Sequence, residues 1–268
     1  MDKDRQIALG TAFVAAHKAD DIIVLPNAWD VASALLLVRA GFSAVATTSA
    51  GIGYTGGYPV GEVMPLDEML GDVKRMADRI GEQANVVLSA DMESGYGVTP
   101  DEIAATVTKT IAAGAVGINI EDTDHRNRDN TGGALFDFAL AVDRIAAARD
   151  AADATGIPFV LNARTDTYWH GGGAAAHDET LRRADAFRAA GADCIFVPGP
   201  TGRDTIARLA AEIGVRRVTV GAIMARATYD TLEKAAAELR DTGTFTFAED
   251  IMPHADLNGL MTRNEPGK

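Results

Sequence analysis

Residues 86–121 read VVLSADMESGYGVTPDEIAATVTKTIAAGAVGINIE, and the fold turns on this stretch. A short apolar run, Val86–Asp91, gives way to Gly95 and Gly97 and then to Thr99-Pro100-Asp101-Glu102. That tetrad is a helix start: a threonine cap, a proline in the first turn, and acids that complement the helix dipole. The helical pattern Asp101–Ala112 closes at Ala113-Gly114, where glycine can take the left-handed exit. A second apolar run, Gly117–Glu121, follows at once. Strand, helix and strand, both strands apolar on two faces, describe one unit of a covered parallel sheet.

The unit repeats in both directions. Further strand runs are Ile22–Pro26, Ala44–Thr48, Phe159–Asn162, Cys194–Val197 and Arg217–Val220. Helical patterns lie between them at Val31–Arg39, Asp67–Ile80, Asp137–Ala154, Asp178–Ala189 and Asp204–Ile213. Such alternation, with no linker or charge block, favours an α/β fold of the (β/α)8 TIM-barrel type over a doubly wound sheet. Only seven strands are present where a closed barrel has eight, and about 20 residues separate the sixth from the seventh. The barrel is therefore expected to be one βα unit short near residues 213–215. Residues 1–243 read as the barrel domain, and 244–268 as a tail with a short extended piece and then a helix.

Composition narrows the classes. The chain has 268 residues, 47% hydrophobic and 24% charged, which are globular values and exclude a largely disordered chain. Its 25 Lys+Arg against 38 Asp+Glu leave a net charge of −13, so neither nucleic acid nor an anionic membrane is an expected partner. No run of 18 apolar residues could span a bilayer, and the start, MDKDRQIALG, carries no apolar signal core. A cytoplasmic protein is expected. The single cysteine, Cys194, excludes internal disulfides and Cys-rich zinc sites.

Barrel chemistry gathers at the carboxyl ends of strands. After the second strand, Thr47–Gly57 contains Gly51, Gly53 and Gly56 in a G-x-G-x-x-G pattern. A dinucleotide site needs that pattern to open directly into a helix, and here the next helix is expected only near Asp67. A loop whose N–H groups, with Ser49, face an anion fits better; a plain turn-rich crossover is the alternative. The third strand ends in Asp91 and Glu93, two residues apart and so on one side in extended geometry. The fourth adds Glu121. Three carboxylates without His or Cys suit a hard cation, Mg²⁺ or Mn²⁺, although helix capping or pairing with Arg164 would also occupy them. Arg164, ending the fifth strand, suits a substrate carboxylate or an ion pair with Asp166 or Glu121. Among five histidines only His125 is placed to reach this mouth, though a solvated loop position is its ordinary state. Trp29 either walls the pocket or packs.

The segments LPNAWD (25–30), ATTSAG (46–51), SADMESGYG (89–97), GINIED (117–122) and LNARTD (161–166) resemble the isocitrate lyase/phosphoenolpyruvate mutase superfamily, on its mutase-like branch. The likeness runs from Ile22 to Gly221. It implies a modified (β/α)8 barrel, a homodimer or homotetramer exchanging a C-terminal helix, and bound Mg²⁺. It also implies stabilisation of an enolate or oxyanion while a C–C or P–C bond of a small carboxylate breaks or forms. Residue by residue, it implies that Asp91, Glu93 and Glu121 hold the metal, directly or through water. Ser49, Ala50 and Gly51 would donate to the substrate, Arg164 would clamp its carboxylate, and Trp29 would line the pocket.

Departures from the pattern matter. The Lys-Lys-Cys-Gly-His segment of isocitrate-type lyases is replaced by Thr123–Gly133, which has no cysteine. The mutases' lysine and asparagine in that loop have only Asn127 and Asn130 as loose counterparts. Pro198 and Gly199 stand where the mutases have a histidine, and Val60 stands where relatives have an aspartate, with Glu62 the nearest acid. Two functions follow as expectations: a Mg²⁺-dependent lyase or hydrolase, with His125 or Glu62 as weak acid–base candidates, or a non-catalytic binding or assembly protein.

Overall fold

The computed structural model describes residues 1–81, 86–126, 133–171 and 173–262. Helix α1 (Lys3–Lys18) precedes a first stave made of β1 (Ile23–Leu25) and β2 (Asn27–Ala28), interrupted at Pro26. Then come α2 (Val31–Arg39), β3 (Ala44–Thr47), α3 (Ser49–Thr55), α4 (Leu66–Gly81), β4 (Val87–Asp91), α5 (Pro100–Ala112) and β5 (Gly117–Glu121). A small antiparallel pair, β6 (Thr123–Asp124) and β7 (Ala134–Leu135), leads to α6 (Phe138–Ala154) and β8 (Val160–Arg164). The chain closes with α7 (Gly173–Ala189), β9 (Cys194–Phe196), α8 (Arg203–Ile213), β10 (Arg217–Thr219), α9 (Ile223–Thr242) and α10 (His254–Met261).

Local chemistry explains the helix starts. Asp30 accepts from the Ser33 amide at 2.7 Å while the Ser33 hydroxyl receives the Asp30 amide, a reciprocal cap for α2. Thr99 and Glu102 form the same box at α5, with Pro100 in the first turn. Parallel staves run in the order β2-β3-β4-β5-β8-β9, and β1 pairs with β10. The register sets Asp91 beside Asn119, Glu121 beside Arg164, and Asn162 beside both Asn119 and Cys194. Between staves and helices lies the main core, including Met69, Met76, Ile103, Ile118 and Phe159. Leu9 and Phe13 of α1 pack with Leu25, Val87 and Val160 at the amino end of the barrel. A side chain at Gly10 would collide with the Pro158 carbonyl, so only glycine lets α1 seat there.

Seven staves stand where eight would close the ring. Strands β9 and β10 are not hydrogen-bonded to each other, and no described strand lies between them. Helix α8 ends at Ile213, Gly214 turns left-handed at φ 70°, and the chain enters β10 three residues later. The result is a seam between β9 and β10. All five residues of β5 are buried, whereas β9 is half-buried throughout and Val218 of β10 is 45% exposed.

Three helices depart from the sequence reading. Helix α1 plugs the barrel floor, and α9 runs for 20 residues with only Ala225 buried. Helix α3 begins immediately after β3, where a loop was expected. Thr48 caps it, and Gly51 brings it against Trp29, since a Cβ at Gly51 would lie 2.6 Å from that of Trp29. The tail holds a 3-10 turn, Thr246–Ala248, and then α10, which returns to its own chain beside α2. There Arg79 donates to the carbonyls of Met261 and Thr262.

Candidate active site

A cavity of about 920 Å³ opens at the carboxyl end of the staves. Asp91, Glu93, Glu121, His125, Arg164, Asp166, Ser49 and Ala50 all line it, with Val60 on the loop above. Trp29 and Gly51 are not among its lining residues; they pack on each other behind α3. Asn127 and Asn130 lie outside the described residues.

Asp91 ends β4 and is held from three sides. Its Oδ2 accepts the Ser49 amide at 3.0 Å and the Ser49 hydroxyl at 2.8 Å, and its Oδ1 accepts Asn119 Nδ2 at 3.1 Å. The amide and the hydroxyl of Ser49 therefore both serve Asp91, whereas the sequence pattern had pointed them at an anion. Glu93 is not a continuation of the strand. The backbone leaves extended geometry after Asp91, Gly95 donates to the Met92 carbonyl, and Glu93 sits at φ 51°. The two-residue alternation stops there, and the Glu93 carboxylate instead accepts the amides of Gly61 (2.5 Å) and Glu62 (2.9 Å). Glu62 returns the clasp, its Oε1 accepting Ser94 Oγ at 2.7 Å and the Tyr96 amide at 2.6 Å. Arg144 braces the same turn through the carbonyls of Ser94, Gly97 and Val98.

Glu121, at the end of β5, joins two groups. Its Oε1 meets His125 Nε2 at 2.5 Å and its Oε2 meets Arg164 at 2.6 Å. His125 is thus largely enclosed and paired, contrary to the solvated loop position expected for it. Arg164 also pairs with Asp166 at 2.6 Å and lies over the Trp169 ring at 4.6 Å. Both ion-pair partners considered from sequence are engaged at once. Cys194 opens β9, its thiol donating to Asn162 Oδ1 at 3.0 Å, and Asn162 donates to Asn119 Oδ1 at 2.7 Å.

Electrostatics follow from this crowding. Burial, then the charges of Glu121 and Asp91, raise the Glu93 carboxyl to about 7. Burial also raises Glu121, against the pull of Arg164. Burial alone would lower His125, but the hydrogen bond to Glu121 carries it above its ordinary value. Burial raises the Cys194 thiol to about 11, so it stays protonated.

A hard cation fits this donor chemistry: all-oxygen ligands, with a proton drawn onto Glu93 when no positive charge offsets its neighbours. Among the described residues no three acidic, His or Cys side chains close around one point.

The polar partners Asn119, Asn162, Asp166 and Trp169 were not read as site residues. The two asparagines had a signal, one amide inside each of two otherwise apolar neighbouring strands.

Comparison with known proteins was consistent along nearly the whole chain. The family model for phosphoenolpyruvate phosphomutase matches residues 13–213. An uncharacterized Mycobacterium tuberculosis protein is 33% identical over 277 residues, 95% of this chain and 97% of the relative. The 2-methylisocitrate lyase of Escherichia coli is 32% identical over 190 residues, 70% of this chain but 61% of the lyase. The crystal structure of a candidate lyase/mutase from Burkholderia cenocepacia superposes with a TM-score of 0.87 at 36% identity, covering 98% of this chain and 99% of that one.

Proposed function

This chain belongs to the phosphoenolpyruvate mutase/isocitrate lyase superfamily of enzymes, and we propose that it is a divalent-cation-dependent lyase cleaving a C–C bond in a small α-oxo or α-hydroxy carboxylate. The observation that carries this reading is the convergence of Asp91, Glu93, Glu121 and Arg164 on one cavity. Asp91 would hold Mg²⁺, or Mn²⁺, with Glu93 and Glu121 supporting it through water. When bound, the cation supplies Lewis-acid polarisation of the substrate oxygen.

The chain's own residues do the remaining work. Arg164, fixed by Glu121 and Asp166 beneath Trp169, presents positive charge to the substrate carboxylate without needing to reorganise. His125, whose basicity the hydrogen bond to Glu121 raises, would return a proton to the carbanion left by cleavage. The Glu93–Glu62 clasp fixes the loop whose Val60 lines the cavity. Hydrolytic or P–C bond chemistry at the same site is the finer alternative.

An assembly follows from the same reading. Helix α9 exposes Ile223 and Leu232, the tail exposes Phe245, and a second copy covering them would give a homodimer or homotetramer. No described helix is long and apolar enough to cross a membrane.

The reading is tested by calorimetry with oxalate, a planar mimic of an oxo-acid enolate. Binding should require Mg²⁺ and weaken by about a hundredfold in Asp91→Ala. The second reading, a non-catalytic binding protein, draws on the open seam. It takes first place if a well-folded sample binds no oxalate with the metal present.

A further inference from the structure

One layer of the barrel interior is polar, where such layers are ordinarily filled by branched apolar side chains. The parallel register sets Asp91, Asn119, Asn162 and Cys194 level with one another on β4, β5, β8 and β9. Asn119 is 3% exposed and Asn162 1%, and a buried amide is costly unless both its ends are bonded. Here both are. Cys194 Sγ donates to Asn162 Oδ1 at 3.0 Å, Asn162 Nδ2 to Asn119 Oδ1 at 2.7 Å, and Asn119 Nδ2 to Asp91 Oδ1 at 3.1 Å.

The direction of this run is fixed by its end. A carboxylate only accepts, so Asn119 must turn its amide nitrogen to Asp91 and leave its oxygen for Asn162. The same constraint passes to Asn162, whose oxygen then needs a donor, and the Cys194 thiol supplies it. Across the seam the Arg217 guanidinium reaches the Cys194 sulfur and donates to Ser89 Oγ at 3.3 Å, with the Asp91 charge nearby. A guanidinium can only donate, so the run keeps one sense from β10 to β4. Asp91 Oδ2 already takes both the amide and the hydroxyl of Ser49. The bond from Asn119 therefore sets the other oxygen, and with it the plane of the carboxylate. Asn119 lines the cavity, but Asn162 and Cys194 are not among its lining residues.

We infer that Asn119, Asn162 and Cys194 are positioning residues, a one-way hydrogen-bond relay across three stave spacings, about 14 Å, that holds the Asp91 carboxylate in the orientation a divalent cation needs. The inference rests on the proposed function, in which Asp91 holds the cation. Asn162 and Cys194 act only through Asn119. Removing such an outer partner of a metal ligand typically costs about tenfold to a hundredfold in metal affinity.

The test is Mn²⁺ binding by calorimetry on the intact protein. Asn162→Leu, of similar volume, should weaken Mn²⁺ about tenfold. Cys194→Ala should weaken it about threefold, whereas Cys194→Ser keeps a donor and should hold the wild-type value. Thr110→Val removes a buried hydroxyl bonded within α5 and should leave Mn²⁺ affinity unchanged. Thermal melting checks folding, and if Asn162→Leu does not fold the two cysteine variants decide. Equal affinities in wild type, Cys194→Ala and any folded Asn162→Leu would overturn this inference alone. So would a loss in Cys194→Ser or Thr110→Val as large as that in Cys194→Ala. A well-folded wild type that binds no Mn²⁺ would overturn the parent reading with it.

Discussion

From β3 round to β8 each stave is followed by a helix, and the strand residues are almost wholly enclosed. Across the seam from β9 to β10 the intervening unit is missing, the strands are half-buried, and no backbone hydrogen bonds join them. The chemistry divides along the same line. Asp91, Glu93, Glu121 and Arg164 come from β4, β5 and β8 or the turns directly after them, so the acidic site is assembled on the intact arc. The seam contributes Arg217, Phe196 and the wall from Val197 to Pro200. Loss of a repeat is thus compatible with a formed site, because each stave is positioned by its immediate neighbours.

The contrast makes graded predictions. Arg164→Met leaves Glu121 and Asp166 buried without their cation and should cost about 3 to 5 kcal/mol in urea unfolding. A smaller loss would mean water enters the intact arc as freely as the seam. Ile118→Ala, in the core behind β5, should cost about 2 to 5 kcal/mol by the same measurement. Asp91→Ala should weaken Mg²⁺-dependent oxalate binding by about a hundredfold, because it removes the carboxylate proposed to hold the cation directly.

Glu93 sets a pH signature. The folded protein binds its proton more tightly than the unfolded chain, whose carboxyl titrates near 4.5. The stability from that proton is complete below about pH 4.5 and lost as pH rises through about 7. Glu93→Gln keeps an acceptor for the Gly61 and Glu62 amides. It should be more stable than wild type at pH 8 without divalent cation, by on the order of 2 kcal/mol. Unfolding midpoints across that range check it, and added Mg²⁺ should shrink the difference. The smallest effect is expected at the seam, where Val218→Ala should change stability by less than about 0.5 kcal/mol. A cost comparable to Ile118→Ala would show that something covers the seam in solution.

Much of this was legible in the residues. All seven staves fall on the apolar runs read from sequence, and the short passage from Ile213 to Arg217 announced the missing unit. The acidic strand ends were equally plain. Helix α3 was missed because a threonine cap and three glycines also spell a loop; packing against Trp29 selected the helix. Helix α9 buries only Ala225, so core periodicity gives little sign of it.

What the sequence determined by itself, then, was local: the period of the strands, the caps, and which acids and cations stand at strand ends. Those follow from spacing along the chain, which is short-range and visible in one dimension. The tertiary structure alone decided which charges neutralise one another. It paired Arg164 with two carboxylates and Arg217 with a hydroxyl, turned Glu93 away from the line of β4, and enclosed His125 against Glu121. Pairing across staves depends on distances of a few ångströms between residues far apart in the chain, and on burial that no single segment possesses.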